Sequence, residues 1–512
     1  MALTRPDTHQ LVDTRWDLVV IGGGITGAGV LLEAARLGLK AVLVEQRDFA
    51  WGTSSRSSKM VHGGLRYLAQ GDFRLTREAL QEREWLIGAL PNLVVRQQYL
   101  FPVRARQFPG RWALKAGLWL YDRFAGIRDH HWLSADRVVQ LAPGLRDDDL
   151  HGAMTYTDAL TDDSRLVMQV LHEAAALGGT ACNYMQVQAV QAVQANEAGY
   201  AISVRDIAAD QTLTLQARKV INATGAWADR LSAAAARVRP QRGSHVFVPA
   251  ERLPVTQCFT LVNPDDGRPV FVFPWEGTTC IGTTDIDHRD SLDEEPRCTE
   301  SEIDYLLTHT NRQFPAAQLS RADILSTMAG VRPIIASGKG RNPSAERRDH
   351  AVWQSDGLVS VSGGKLTTFR LIALDALKVA GFLDQRAWRR ARRCPPAFAM
   401  EGVPQELGNP LAPLPAGNRL VEILRWTCQH EQVEHLDDLL LRRTRLGNLL
   451  PHGGEAILPQ VETVCRDQLG WTSARWQQEL GRYLDIVSRY YGVTPGKALP
   501  LPEKAEQLKQ LA

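Results

Sequence analysis

The chain has 512 residues, 44% of them hydrophobic and 23% charged, with a formal net charge of +2. That length is too great for one core and predicts on the order of two or three domains. The near-neutral balance argues against a nucleic-acid partner, which needs a strongly basic face. Seven scattered cysteines with no C-x-x-C pair predict reduced thiols in a cytosolic compartment, with neither a disulfide framework nor a metal site.

The first sixteen residues are polar and are expected to carry no secretory signal. Leu18-Val19-Val20-Ile21 then reads as a buried parallel strand. Gly22, Gly24 and Gly27 follow at the spacing that permits a tight turn, close approach to a pyrophosphate, and close packing of a helix on the strand. The N-terminus of that helix faces the phosphates with unpaired N–H groups and a partial positive charge. Glu45 closes a second apolar strand about twenty residues on, where a carboxylate accepts hydrogen bonds from a ribose and repels a 2′-phosphate. The unit predicts a bound dinucleotide without deciding between flavin and nicotinamide.

Further along, Thr53 to Lys59 offers hydroxyl and N–H groups to a pyrophosphate or ribityl chain. Arg111 to Phe124 predicts a helix with Arg111, Lys115 and Asp122 on one narrow stripe, and Trp112, Leu114, Leu118, Trp119, Leu120, Tyr121 and Phe124 over most of the rest. At roughly 21 Å it is too short to span a bilayer. A place in the core and a place at a headgroup interface both remain open, and the two Trp, the Tyr and the flanking Arg104, Arg106, Arg111 and Arg123 favour the interface. Nowhere does the chain approach the roughly 18 apolar residues of a spanning helix.

Lys219 to Trp227 and Leu358 to Thr368 repeat the strand-then-glycine pattern, placing Gly225 and the pair Gly363 and Gly364 at strand carboxyl ends, where an open α/β sheet binds ligand. A nicotinamide enzyme needs one such unit, so three spread elements favour FAD. Between them, Ser244–Pro249, Pro269–Trp275 and Thr279–Asp285 read as short strands of an antiparallel sheet. Beyond Pro395 and Pro396, leucine-, glutamate- and arginine-rich stretches such as Asp437 to Arg445 and Ala474 to Tyr491 predict helices.

The run Thr53-Ser54-Ser55-Arg56-Ser57-Ser58-Lys59-Met60-Val61-His62-Gly63-Gly64-Leu65-Arg66-Tyr67-Leu68 closely resembles the FAD-dependent glycerol-3-phosphate dehydrogenases. Ordered matches follow at Asn222–Gly225, Gly243–His245, Ile281–Asp285, Gly330–Pro333, Arg348-Asp349 and Gly363–Thr368. The resemblance implies a Rossmann-type α/β FAD domain of the glycine-oxidase-like kind, discontinuous over 17–90, 150–240 and 330–385. It also implies an antiparallel β-sheet substrate cap over 91–149 and 241–329 and a helical domain over 394–512. It further implies oxidation of sn-glycerol 3-phosphate to dihydroxyacetone phosphate, with electrons passed to membrane quinone; the Arg111 to Phe124 helix is then expected to lie on the anionic lipid of the inner face. A homodimer is compatible with the chain.

Within that frame Gly22, Gly24, Gly27, Glu45, Thr53, Ser54, Ser58, Lys59, His62, Gly63, Gly64, Leu65, Gly225, Gly363, Gly364 and Thr367 are expected at FAD. Arg66, Tyr67, Arg348 and Lys365 are expected at a phosphate dianion. Arg332, fixed before Pro333, is the foremost anion partner, since a guanidinium forks onto phosphate oxygens. His245 is expected to take the C2 hydroxyl proton, because imidazole titrates near neutrality. An oxidase passing electrons to oxygen, a related flavin amino-acid oxidase, and a non-catalytic redox-sensing binder are the alternatives.

Overall fold

The computed structural model describes residues 3–105, 107–193, 199–231, 237–336, 349–399, 403–404 and 406–493; Arg106 and Arg348 lie outside them. The first sheet is centred on Arg15–Ile21. Ala41–Val44 and Gln211–Asn222 flank it in parallel, with Leu358–Gly363 and Thr180–Cys182 one strand further out on either side, also parallel. The short runs Leu18–Ile21 and Ala41–Val44 are wholly buried, as a parallel sheet covered on its faces requires. Helix Ile25–Arg36 packs against helices Asp163–Ala176 and Phe369–Val379 in one apolar core. Its first turn lies so close that a side-chain carbon on Gly27 would sit 1.8 Å from the Gly22 carbonyl oxygen.

The second sheet is mostly antiparallel. Val238–Pro249 pairs with Thr278–Gly282 and Ser326–Ile335; Pro269–Trp275 and Cys258–Val262 continue it, and a parallel pairing joins Cys258–Val262 to Val94–Arg104. Val94–Arg104 then pairs with Leu150–Thr161, which also takes Met60–Val61 and Trp132–Ser134. Strand pairing here crosses the expected domain boundaries. Met60–Val61, Leu150–Thr161 and the first residues of 330–385 belong to this sheet, not to the nucleotide sheet. A buried apolar strand looks alike in either layer, and only its pairing partner assigns it. The helices beyond residue 394 begin at Gly417, where Gly417–His430, Leu458–Leu469 and Ser473–Ile486 share a core around Leu424, Val461 and Tyr483.

Helix Arg111–Ala125 forms as the periodicity predicts, but its faces differ from the expected stripe. Leu114, Leu118 and Tyr121 enter the core beneath the second sheet, and Asp122 is buried with them. The Asp122 carboxylate accepts from the backbone N–H groups of Asp129 and His130 at 2.8 and 3.0 Å, which explains an acid on the inner face. Outside stand Trp112 and Trp119, 72% and 60% exposed, with Phe108 just ahead at 84%. Leu118→Gln is therefore expected to cost about 2 to 4 kcal/mol of unfolding free energy, for a polar group forced into a packed site. Trp119→Gln should stay within about 0.5 kcal/mol of the parent. Chemical denaturation of the two variants checks this, and equal losses would contradict the orientation.

Candidate active site

The three strand-and-glycine turns meet along one cleft across the carboxyl ends of the parallel strands. It is lined by Gly22, Gly24, Glu45, Ala223 to Trp227, and Gly363 to Leu366. Gly22 has φ +112, and a side-chain carbon there would meet the Ala223 carbonyl at 2.7 Å, so the first two turns touch through backbone alone. Gly24 precedes helix Ile25–Arg36 and offers no side-chain cap. Instead Ser54 Oγ accepts from the Ile25 N–H at 2.9 Å, which ties Ser54 to the helix start. Thr53 Oγ1 donates to the Val331 carbonyl.

Glu45 lies at the cleft with one oxygen accepting from Gly23 N–H at 2.6 Å and the other from Arg47 N–H at 2.9 Å. Burial outweighs these donors and holds its carboxyl above the ordinary range. The Lys59 side chain points away from the cleft. It is fully buried, with Nζ donating to Asp163 at 2.7 Å and to the Ser55 carbonyl at 2.8 Å, so its ammonium is engaged behind the run that was expected at FAD. Gly363 and Gly364 adopt φ +82 and +80, conformations that favour glycine, and lead into Lys365.

At that end of the cleft several expected residues converge. Lys365 Nζ lies 3.6 Å from the Tyr67 ring centroid and donates to the Gly63 carbonyl at 3.3 Å. Gly64, at φ +83, leaves room for this contact: a side-chain carbon would lie 2.2 Å from the Tyr67 ring and 3.0 Å from Lys365 Nζ. Thr367 Oγ1 bridges to His62, accepting from its N–H at 3.1 Å and donating to its carbonyl at 3.2 Å. Leu65 opens the short helix Leu65–Ala69 that carries Arg66 and Tyr67. Arg66 and Arg332 meet across Asp285, with N–O separations of 3.8 and 3.2 Å, and Arg332 also donates to Thr283 Oγ1 at 2.9 Å. The Arg332 guanidinium passes over Gly243, where a side-chain carbon would lie 2.2 Å from it.

His245 is nearly inaccessible, with Nε2 3.1 Å from Ser58 Oγ, while Nδ1 has no hydrogen-bond partner among the described residues. Its ring covers Gly282, the cross-strand neighbour, where a side-chain carbon would lie 2.1 Å away. Ser244 beside it donates to Glu302 at 2.8 Å, as does Thr284 at 2.6 Å, so the cap of helix Glu300–Gln313 also holds the strand that carries His245. Burial, then the charges of Arg332 and Lys59, lower its pKa to about 3. His245 is thereby held neutral, well below the near-neutral titration of a free imidazole, and keeps a lone pair to offer.

Sequence reasoning overlooked Asp285, which stood in the quoted Ile281–Asp285 run without a role. It also overlooked the aromatic wall of Trp51 and Trp227, whose ring centroids are 6.0 Å apart. Met185 to Val187, which also line the cleft, carry no local signal.

Residues 17–373 match the family model described as FAD dependent oxidoreductase, and 397–476 match the C-terminal domain of alpha-glycerophosphate oxidase. Fold and cleft together define a FAD-dependent oxidoreductase. The protein named glycerol-3-phosphate dehydrogenase 2 in Mycobacterium tuberculosis (strain ATCC 25618 / H37Rv) is 35% identical over 531 residues, covering 93% of this chain and 89% of that protein. The aerobic glycerol-3-phosphate dehydrogenase of Bacillus subtilis (strain 168) is 37% identical over 367 residues, covering 70% and 65%. Among solved structures, the glycerol-3-phosphate dehydrogenase from Bacillus halodurans complexed with FAD superposes with a TM-score of 0.70 at 26% identity, covering 96% of this chain and 98% of that one. Glycine oxidase from Geobacillus kaustophilus, with a TM-score of 0.53 at 21% identity and coverage of 76% and 97%, shares the fold. The chain belongs to the glycerol-3-phosphate dehydrogenase family. Its cofactor is FAD, and the residues present fit it: glycine backbone at three strand ends, a helix N-terminus, and Glu45 at the second strand.

The neutral His245 has a consequence for stability. Between about pH 3 and 6.5 the unfolded chain binds a proton on this ring that the folded protein refuses. Stability therefore rises with pH across that window, by at most about 1.4 kcal/mol per pH unit from this residue. His245→Gln should flatten the rise, as measured by denaturation midpoints from about pH 4 to 6.5. Parallel profiles for parent and variant would contradict the burial argument.

Proposed function

We propose that the protein oxidises sn-glycerol 3-phosphate to dihydroxyacetone phosphate and passes the electrons to membrane quinone. The observation that carries this reading is the pairing of Arg66 and Arg332 across Asp285, with Lys365 on the lining of the FAD cleft and stacked on Tyr67, the residue next to Arg66. A phosphate dianion is held by guanidinium forks and an ammonium, and Asp285 keeps two of the forks side by side. Bound in the cleft, FAD supplies the two-electron acceptor.

The protein's own part is to orient C2 and take its hydroxyl proton. His245 enters neutral, so it accepts that proton without first losing one, and a bound dianion beside the ring raises its basicity. Arg332 stabilises negative charge that develops on the same oxygen. The alternative acceptor, oxygen, is distinguished by oxygen uptake without added quinone or dye.

Arg332→Ala is expected to retain FAD and lose about tenfold to a hundredfold in kcat/KM for glycerol 3-phosphate, the equivalent of roughly 1.5 to 3 kcal/mol for a charge-assisted pair. A value within a factor of two of the parent's would remove Arg332 from the site.

No helix among the described residues is long and apolar enough to cross a membrane, so in this reading quinone is met at the lipid surface. Phe108, Trp112 and Trp119 stand exposed beside the exposed cations Arg111, Lys115 and Arg123. Aromatic rings with flanking cations suit an anionic headgroup interface, here the inner face of the cytoplasmic membrane. Replacing Phe108, Trp112 and Trp119 by Gln should release the protein from anionic liposomes and impair quinone reduction, with dye-linked activity near normal. Undiminished liposome binding would assign the face elsewhere.

A further inference from the structure

The segment from Glu45 to Lys59 is one wall of the FAD cleft. Gln46, Trp51, Gly52, Thr53, Ser54 and Ser57 line it, and the Ala50 N–H donates to the Gly23 carbonyl at 3.0 Å, joining this wall to the first glycine turn. Its rear surface is held by a different part of the chain. Asp48 is fully buried and accepts both Nη groups of Arg443 at 2.7 Å each, together with Arg442 Nε at 2.6 Å. Arg445 donates to the Ser55 carbonyl at 2.9 Å and to Asp162 at 2.9 Å, and it also meets Asp163, the acid that holds Lys59 and the Ser57 N–H. Tyr491 Oη accepts from Arg56 at 3.1 Å. None of these four C-terminal residues lines the cleft.

The two consecutive arginines end a π-helical turn, Asp438–Arg443, and Arg445 follows in the left-handed region at φ +60. Departures of this kind from an α-helix cost regularity and persist where the surroundings require them. What they achieve here is to aim three guanidiniums at a single loop. The loop carries a buried carboxylate that has no place in the protein without those partners, because an unpaired buried charge is strongly disfavoured. The wall of the cleft and the docked helical domain therefore occur together.

We propose that the C-terminal helical domain completes the FAD site: Arg442, Arg443 and Arg445 are positioning residues that hold the Glu45–Lys59 wall in its cofactor-binding place, so that FAD binding and docking of this domain strengthen each other. The inference rests on FAD as cofactor and not on the substrate. Because coupling between two sites is reciprocal, it has a readout at each end.

The full chain, stripped of FAD, is titrated with FAD by flavin fluorescence, and amide hydrogen exchange over 438–446 is followed with and without the cofactor. FAD is expected to slow that exchange about tenfold, although the segment does not touch the cleft; a fixed structural anchor would exchange alike in both states. Asp48→Asn, which leaves Arg442 on Asp437 and Asp438 and Arg443 on the Glu431 carbonyl, should raise the Kd for FAD about tenfold. If that variant does not fold, Arg445→Lys carries the same test with an expected rise of about fivefold. Exchange indifferent to FAD, or a Kd within a factor of two of the parent's in a folded variant, overturns the proposal.

Discussion

Everything at the cleft depends on backbone approaching backbone where three parallel strands end. The Gly27 position touches the Gly22 carbonyl, Gly22 touches Ala223, and Gly363 meets the Asp349 carbonyl at 2.7 Å from where its side-chain carbon would stand. With side chains at these points, the turns would separate and the cleft would fill. The constraint explains why one ligand site is assembled from segments more than three hundred residues apart, and why the intervening chain builds a second sheet over one end of it.

That second sheet supplies a charge arrangement the nucleotide sheet lacks. Strand Ser326–Ile335 brings Arg332 opposite Gln241, two residues from the point where glycine faces glycine at Gly243 and Gly330. The guanidinium then crosses the strand toward Thr283 and Asp285. Asp285 offsets part of the positive charge and fixes its direction, and the same positive field is one of the causes that keep His245 neutral. A cationic anion site and a neutral proton acceptor are thus two results of one arrangement. Their order of importance is set by burial, which the pKa of His245 feels first.

The parts legible in the sequence were those with a local cause. The glycine spacing at Gly22, Gly24 and Gly27, the strand Pro269–Trp275 and the helix starting at Arg111 all follow from periodicity or turn chemistry within a dozen residues. Long-range pairing was not legible. Leu150–Thr161 reads as a buried strand in either sheet, and Asp122 looks like a surface residue until Asp129 and His130 fold back onto it. Lys59 reads as the end of the hydroxyl-rich run expected at FAD, but the acid that takes its side chain, Asp163, lies 104 positions away. The arginines behind the cleft wall share that difficulty, since Asp48 and Arg443 are 395 positions apart.

The most direct test is anaerobic addition of glycerol 3-phosphate to the purified, FAD-loaded protein, with glycerol, lactate and glycine added to parallel samples while the flavin absorbance is followed. The proposed phosphate site, with Arg66 and Arg332 paired across Asp285 and Lys365 on the cleft lining, predicts rapid bleaching by glycerol 3-phosphate and little or none by the three compounds that lack a phosphate. Bleaching by glycine or lactate in preference to glycerol 3-phosphate, or an unchanged flavin with all four, would contradict it.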